Sequence, residues 1–74
     1  MVTRIKDLRI DKDLLQKDIA ILLGISQQQY SRIELDINQL SYDGLYKLSI
    51  FYNTSIDYIL GITDIIKPYP RRKK

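Results

Sequence analysis

The sequence predicts an all-α fold in which five short helices form one compact domain. Apolar residues recur at spacings of three and four along most of the chain, which is the period of an amphipathic helix. Glycine, asparagine and serine, which often end or cap helices, fall between these apolar stretches. The length of 74 residues is enough for one domain with a modest core.

The first two helices follow from apolar spacing and from one glycine. A first helix is predicted from about Thr3 to Asp11, and a second helix from Leu15 or Gln16. Gly24 follows the last apolar residue of the second helix. Because glycine has no Cβ, it readily takes the left-handed conformation that ends many helices. Gly24 is therefore predicted to end the second helix.

The remaining helices are marked by serines at their starts. Ser26 is predicted to cap a third helix over residues 27–34, whose apolar stripe consists of Tyr30 and Ile33. Ser41 is predicted to cap a fourth helix, and Ser55 a short fifth helix. The fourth helix is predicted to bury Leu45, Leu48 and Phe51 and to end at Asn53, and the fifth is predicted to end at Gly61.

Composition argues against several classes of protein. The chain has no cysteine and no histidine, which excludes disulfides and makes a zinc site or general-base catalysis unusual. The spacing of Asp11, Asp13 and Asp18 matches no calcium-binding loop. No apolar run approaches the ~18 residues of a membrane span, and the first residues lack the apolar core of a signal peptide. We expect a cytoplasmic protein that is not an enzyme and has no metal, cofactor or membrane partner.

Positive charge is concentrated at one end of the chain. The formal net charge is +3, but residues 67–74 carry +5 and residues 1–66 carry −2. We therefore expect a folded domain over residues 1–66 and a basic, flexible tail over residues 67–74. Attraction to nucleic acid would have to come from a local patch or from this tail.

Six residues in the middle of the chain follow a known pattern: Gln16, Ala20, Gly24, Ser26, Ile33 and Glu34. In this register the chain resembles the lambda-repressor-like helix-turn-helix family of phage repressors and bacterial regulators. The resemblance covers roughly residues 4–64, and residues 55–61 also follow the family pattern. A small side chain at Ala20 suits the close crossing of the two helices, and Gly24 suits the turn between them.

The resemblance implies sequence-specific binding of double-stranded DNA by a transcriptional regulator, most simply a dimeric repressor. The third helix would enter the major groove, where a glutamine can bind adenine through two hydrogen bonds. Gln16 opens the second helix, whose first backbone N–H groups favour a phosphate. The predicted DNA-binding residues are Gln16, Ser26, Gln27, Gln28, Gln29, Ser31 and Arg32. The alternative for the glutamines is an ordinary solvated helix face.

The resemblance also implies two structural features. Arg9 and Glu34 correspond to an ion pair that joins the first helix to the end of the third. A dimer interface is expected through the fifth helix and the segment after it, because this short region holds more isoleucine than one small domain can bury. Its predicted residues are Ile62, Ile65 and Ile66.

Several other tyrosines lie at helical spacings among apolar residues, so we expect core or interface packing for most of them. They are Tyr42, Tyr46, Tyr52 and Tyr58. The sequence departs from the family pattern at Leu15, where a capping residue is usual, and at Tyr30, where an aliphatic residue is common. The segment 35–38 also lacks the glycine that often follows Glu34.

Two alternatives to a simple repressor remain open. One is an antitoxin, or a regulator controlled by a protein antagonist, which would still bind DNA but would also bind a toxin or the antagonist. The other is a protein-interaction module without DNA binding, which the acidic charge of residues 1–66 favours slightly. The glutamine cluster in the expected register favours DNA binding instead.

Overall fold

A computed structural model describes residues 3–68 of the chain. Residues 69–74, which hold most of the predicted basic tail, lie outside the described residues. The prediction of an all-α fold with five helices is confirmed for the described part. The helices are α1 (Ile5–Asp11), α2 (Gln16–Leu23), α3 (Gln27–Glu34), α4 (Tyr42–Phe51) and α5 (Ile56–Ile59).

The predicted capping residues define where three helices start. The hydroxyl groups of Ser26, Ser41 and Ser55 each accept a hydrogen bond from a backbone N–H in the first turn of the helix that follows. Gly24 has a φ of 71° and ends α2, as predicted. Asn53, with a φ of 53°, takes the left-handed conformation predicted after α4.

The predicted start of α1 is wrong by two residues, because the helix begins at Ile5 and not at Thr3. The backbone N–H of Arg4 donates a hydrogen bond to the carbonyl oxygen of Ile59, at 2.8 Å. This contact holds Arg4 against α5 and out of the helical conformation. A contact across almost the full sequence cannot be read from local apolar spacing.

The helices α2 and α3 cross closely, and their buried side chains fill the angle between them. Ile19 and Ala20 from α2 are almost fully buried, as is Tyr30 from α3. Ile33 and Leu23 complete this part of the core. The crossing fixes which side of α3 faces away from the protein, and this side is the candidate functional surface.

The predicted buried face of α4 is wrong at one position. Leu48 is fully buried and Leu45 is partly buried, but Phe51 is 48% exposed. Tyr52 is buried in its place, since residues 45, 48 and 52 follow the helical spacing of three and four more closely. The ring of Phe51 packs edge-on against the ring of Tyr52, with centroids 5.0 Å apart.

The tyrosines divide between the core and the surface. Tyr52 is buried and Tyr58 is half-buried, so core packing is confirmed for these two. Tyr42 and Tyr46 lie on the outer side of α4 and are exposed. The expectation was core or interface packing for most of the tyrosines, so for Tyr42 and Tyr46 packing in an interface stays a prediction.

The loop after α3 makes its turn without glycine. Asp36 has a φ of 62°, within the segment 35–38 that lacks the glycine expected from the resemblance. The backbone N–H of Asp36 donates to the carbonyl oxygen of Ile33, and that of Ile37 donates to the carbonyl oxygen of Arg32. These bonds satisfy carbonyl groups in the last turn of α3. A residue in the left-handed conformation after a helix commonly allows such bonds.

We expect that Ala20→Leu lowers the free energy of unfolding by about 1–3 kcal/mol, because a larger side chain overpacks the crossing of α2 and α3. Urea unfolding followed by circular dichroism measures this change. Ile21→Leu is the matched control, since the neighbouring Ile21 is exposed and should tolerate the substitution. An equal stability of Ala20→Leu and wild type would contradict the close crossing.

Candidate nucleic-acid interface

The side of α3 that faces away from the core is polar. Tyr30 and Ile33 are buried, so residues on the opposite side of the helix are presented outward. Gln28 and Arg32 are exposed and lie four residues apart, which places them on one line of the helix surface. Ser31 lies between them on the same side and is half-buried. Gln27 is exposed at the flank, in the first turn.

Ser26 and Gln29 form a reciprocal cap at the start of α3. The hydroxyl oxygen of Ser26 accepts from the backbone N–H of Gln29 at 3.1 Å. The side-chain oxygen of Gln29 accepts from the backbone N–H of Ser26 at 3.0 Å. The cap at Ser26 was predicted, and both side chains were also assigned to DNA, but the return bond from Gln29 to Ser26 was not foreseen. The signal was available, because serine followed three residues later by glutamine is a capping-box pattern.

Gln16 is tied to the end of α3 and is half-buried. Its side-chain Nε2 donates to Oε1 of Glu34 at 3.1 Å. An amide nitrogen carries two N–H groups, so the second N–H and the side-chain oxygen of Gln16 are left for another partner. The structure thus gives Gln16 a position between the start of α2 and the end of α3.

The start of α2 has an unusual cap. Leu15 has no polar side chain, as noted from the sequence, but its backbone N–H donates to Oδ2 of Asp18 at 2.9 Å. Asp18 therefore supplies one half of a capping box and its negative charge favours the helix N-terminus. From sequence, Asp18 was weighed only as part of a calcium-binding loop and rejected, so this capping role was missed.

Arg9 and Glu34 form a doubly hydrogen-bonded ion pair with little access to solvent. Nε of Arg9 donates to Oε2 of Glu34 at 2.6 Å, and a terminal nitrogen of Arg9 donates to Oε1 at 3.1 Å. The side chains are 13% and 3% exposed. Arg9 also donates to the carbonyl oxygen of Leu14 at 2.8 Å, which holds the α1–α2 loop. The structure brings the predicted partners together.

The surroundings of Glu34 set its protonation. Burial alone would raise the pKa of the Glu34 carboxyl, but the hydrogen bonds from Arg9 and Gln16 outweigh burial and hold it below its ordinary value. Burial, together with the adjacent Glu34 carboxylate, raises the pKa of Tyr30 well above its ordinary value. The cluster therefore holds a carboxylate, a guanidinium and a neutral phenol at neutral pH.

The phenol groups of Tyr30 and Tyr52 are buried beside this cluster. Neither hydroxyl has a hydrogen-bond partner among the described residues. Burial raises the pKa of Tyr52 to about 12, so it is also neutral. The resemblance led us to expect an aliphatic residue at position 30. Tyr30 instead places its hydroxyl group next to the ion pair of Arg9 and Glu34.

The three predicted interface isoleucines lie on the segment after α5. Ile62, Ile65 and Ile66 are 65%, 67% and 56% exposed. They lie on a different segment of the chain from α3. The described residues contain no cluster of three or more metal-binding side chains. Over the same part of the chain, no helix is both long and apolar enough to cross a membrane.

A comparison with protein families decides the relationship that this geometry suggests. The model of the helix-turn-helix family matches residues 5–59, which include α2, the Gly24 turn and α3. The chain belongs to this family. The resemblance to lambda-repressor-like helix-turn-helix proteins is therefore confirmed.

Two curated proteins of Bacillus subtilis (strain 168) are similar to this helix-turn-helix chain. It is 34% identical over 70 residues to the uncharacterized HTH-type transcriptional regulator YobD, covering 95% of this chain and 62% of that protein. It is 38% identical over 64 residues to the HTH-type transcriptional regulator ImmR, covering 86% of this chain and 50% of that protein. The chain thus spans between half and two thirds of the length of these relatives. No solved structure matches it significantly.

We expect that Glu34→Gln lowers the free energy of unfolding by about 3 kcal/mol at neutral pH, because it leaves the guanidinium of Arg9 buried and unpaired. Urea unfolding between neutral and acidic pH tests this. The folded-state pKa of Glu34 is depressed, so its contribution is full above its ordinary pKa and is lost as the pH falls through the depressed value. The gap between wild type and variant should therefore narrow in acid.

The matched control for Glu34→Gln is Asp43→Asn on α4. Asp43 pairs with Lys47 at 3.2 Å on the surface, with both side chains well exposed. Removing this pair should cost less than about 0.5 kcal/mol. Equal losses in the two variants would contradict a special role for the buried pair.

Proposed function

We propose that this chain is a transcriptional regulator that binds specific sequences in double-stranded DNA through the outer side of α3. One observation carries the proposal: the side of α3 opposite Tyr30 and Ile33 is polar and exposed, on a helix whose orientation the core fixes. The major groove is wide enough to admit such a helix. The helix-turn-helix family and the names of both relatives support this role. The proposed activity is binding and not catalysis, and its place is the cytoplasm.

The glutamines at the start of α3 are the proposed readers of base sequence. Gln28 lies on the outer side of the helix, and Gln27 flanks it in the same turn. A glutamine amide matches the donor and acceptor that adenine presents in the major groove. Arg32, one turn after Gln28, can contact guanine or a phosphate in the same approach. Ser31 lies four residues after Gln27, at the flank of the same outer side, and is proposed to make a shorter contact.

The remaining predicted residues are proposed to position the protein on the DNA backbone. Gln16 keeps one amide N–H after its bond to Glu34, and this group can donate to a phosphate at the start of α2. Ser26 and Gln29 use one acceptor atom each in their reciprocal cap. The hydroxyl hydrogen of Ser26 and the amide nitrogen of Gln29 are left for DNA. Such contacts add affinity but little sequence preference.

The chain is proposed to act as a repressor that binds as a two-fold dimer on a pseudo-palindromic site. Ile62, Ile65 and Ile66 supply the proposed dimer interface, since three neighbouring aliphatic side chains are more than half exposed. Two copies related by a two-fold axis would place two α3 helices in successive major grooves on one side of the duplex.

A second candidate is a regulator that also binds a protein antagonist or a toxin. The observation that favours it is a second apolar stripe on α4, formed by Tyr42, Tyr46 and Ile50 at spacings of four and exposed on all three side chains. This stripe lies on a different element from the proposed dimer residues.

The alternative of an interaction module without DNA binding is tested by selecting DNA duplexes that the protein binds from a random library. If no sequence is enriched, the result favours an interaction module.

We expect that Gln27→Ala and Gln28→Ala each weaken binding to the selected duplex by about 1–3 kcal/mol and relax the preference at particular base pairs. Fluorescence anisotropy at a stated salt concentration measures the affinities. Lys47→Ala, on α4, is the control and should keep the base preference. If both glutamine variants bind the selected and shuffled duplexes as wild type does, the assignment of α3 is wrong.

The basic tail is proposed to add contacts to phosphates. Residues 69–74 lie outside the described part, so this proposal rests on the charge of +5 over residues 67–74. Each phosphate neutralised changes the slope of log K against log salt by about 0.9. Truncation after Ile66 should therefore flatten the slope by roughly 2–4 units, while the base preference persists. An unchanged slope on the same duplex would refute a contact between tail and DNA.

A further inference from the structure

Arg4 connects the start of the chain to the segment after α5. Its guanidinium donates to the carbonyl oxygens of Tyr58 and Thr63, both at 2.7 Å, and pairs with Asp64. The same group lies over the ring of Tyr58, 4.2 Å from the centroid, in a cation–π arrangement. One side chain thus binds two backbone carbonyls, a carboxylate and an aromatic ring.

A second anchor holds the other end of the same segment. The hydroxyl of Thr54, a buried residue in the turn between α4 and α5, donates to the carbonyl oxygen of Ile66. At the near end, the backbone N–H of Ile62 donates to the carbonyl oxygen of Asp57 at 2.9 Å. The backbone of residues 62–66 is therefore fixed to the domain along its length, while its three isoleucine side chains remain exposed.

We propose that Arg4 is a positioning residue for self-association, holding residues 62–66 in the shape that presents Ile62, Ile65 and Ile66 to a second copy of this chain. The inference rests on the two-fold dimer proposed above and names the device that prepares its interface. Ordering the backbone of one residue costs about 1–2 kcal/mol. A segment that is already ordered in the monomer avoids this cost when the dimer forms.

The charge of the segment favours a second copy as the occupant. A two-fold interface places the same surface of both subunits in contact, so a face with net charge repels itself. Within residues 62–66 only Asp64 is charged, and Arg4 neutralises it in each copy. The remaining exposed side chains are aliphatic and can pack on their own image without like-charge repulsion.

The test uses the full chain and duplexes from random selection that carry either one or two half-sites. Arg4→Gln should lower the cooperativity between half-sites at least tenfold and leave the affinity for one half-site within about twofold. Hydrogen exchange should become faster at the amides of residues 62–66. Arg4→Lys should recover only part of the cooperativity, because an ammonium group cannot reproduce the planar fork of the guanidinium.

Two further variants distinguish the proposed interface from the clamp, by which we mean the contacts of Arg4 that hold residues 62–66 in place. Ile65→Asp alters the proposed interface directly, and Thr54→Val loosens the second anchor if Arg4→Gln does not fold. Loss of cooperativity in Ile65→Asp, but not in Arg4→Gln or Thr54→Val despite faster exchange, would overturn the clamp and leave the dimer standing. Unchanged cooperativity in all of them would overturn the proposed dimer as well. If wild type binds no duplex, sedimentation equilibrium without DNA measures the same variants and still decides the clamp.

Discussion

The buried pair of Arg9 and Glu34 is the interaction on which the arrangement of the first three helices depends. It joins α1 to the last residue of α3, and through the Leu14 carbonyl it also holds the loop that leads into α2. Gln16 adds the first residue of α2 to the same carboxylate. The orientation of α3 is therefore fixed at its far end by a polar network and along its length by the core. The proposed reading of DNA by α3 requires a fixed orientation of this kind, since its side chains would have to meet base edges within narrow tolerances.

This polar network is set in an apolar core that does not fully satisfy it. The hydroxyls of Tyr30 and Tyr52 are buried close to the pair without a hydrogen bond among the described residues. A buried hydroxyl without a partner costs about 1–3 kcal/mol, so the large rings must compensate through packing. The wedge between α2 and α3 is thus filled by the large ring of Tyr30, whose hydroxyl group lies close to the carboxylate of Glu34.

Local chemistry explains which parts of the fold were predictable from sequence. Ser26, Ser41, Ser55 and Gly24 act within one turn of their own position, so the starts of α3, α4 and α5 and the end of α2 could be predicted closely. The start of α1 could not, because it depends on a hydrogen bond from Arg4 to Ile59. The exposure of Phe51 was missed because its neighbour Tyr52 fits the buried spacing better. Among the candidate site residues, the polar side of α3 followed from helical periodicity, whereas the bond from Gln16 to Glu34 depends on how two helices cross.

The contacts of Arg4 also have a consequence for the order of events during synthesis. Its acceptors on Tyr58 and Thr63 lie 54 and 59 residues further along the chain. On a ribosome, α1 to α3 leave the exit tunnel before the segment that carries these carbonyl groups does. The surface formed by Ile62, Ile65 and Ile66 is therefore ordered last, after Thr63 has left the exit tunnel. For the proposed dimer, the helices of two nascent copies on one messenger RNA would be in place before the proposed interface forms.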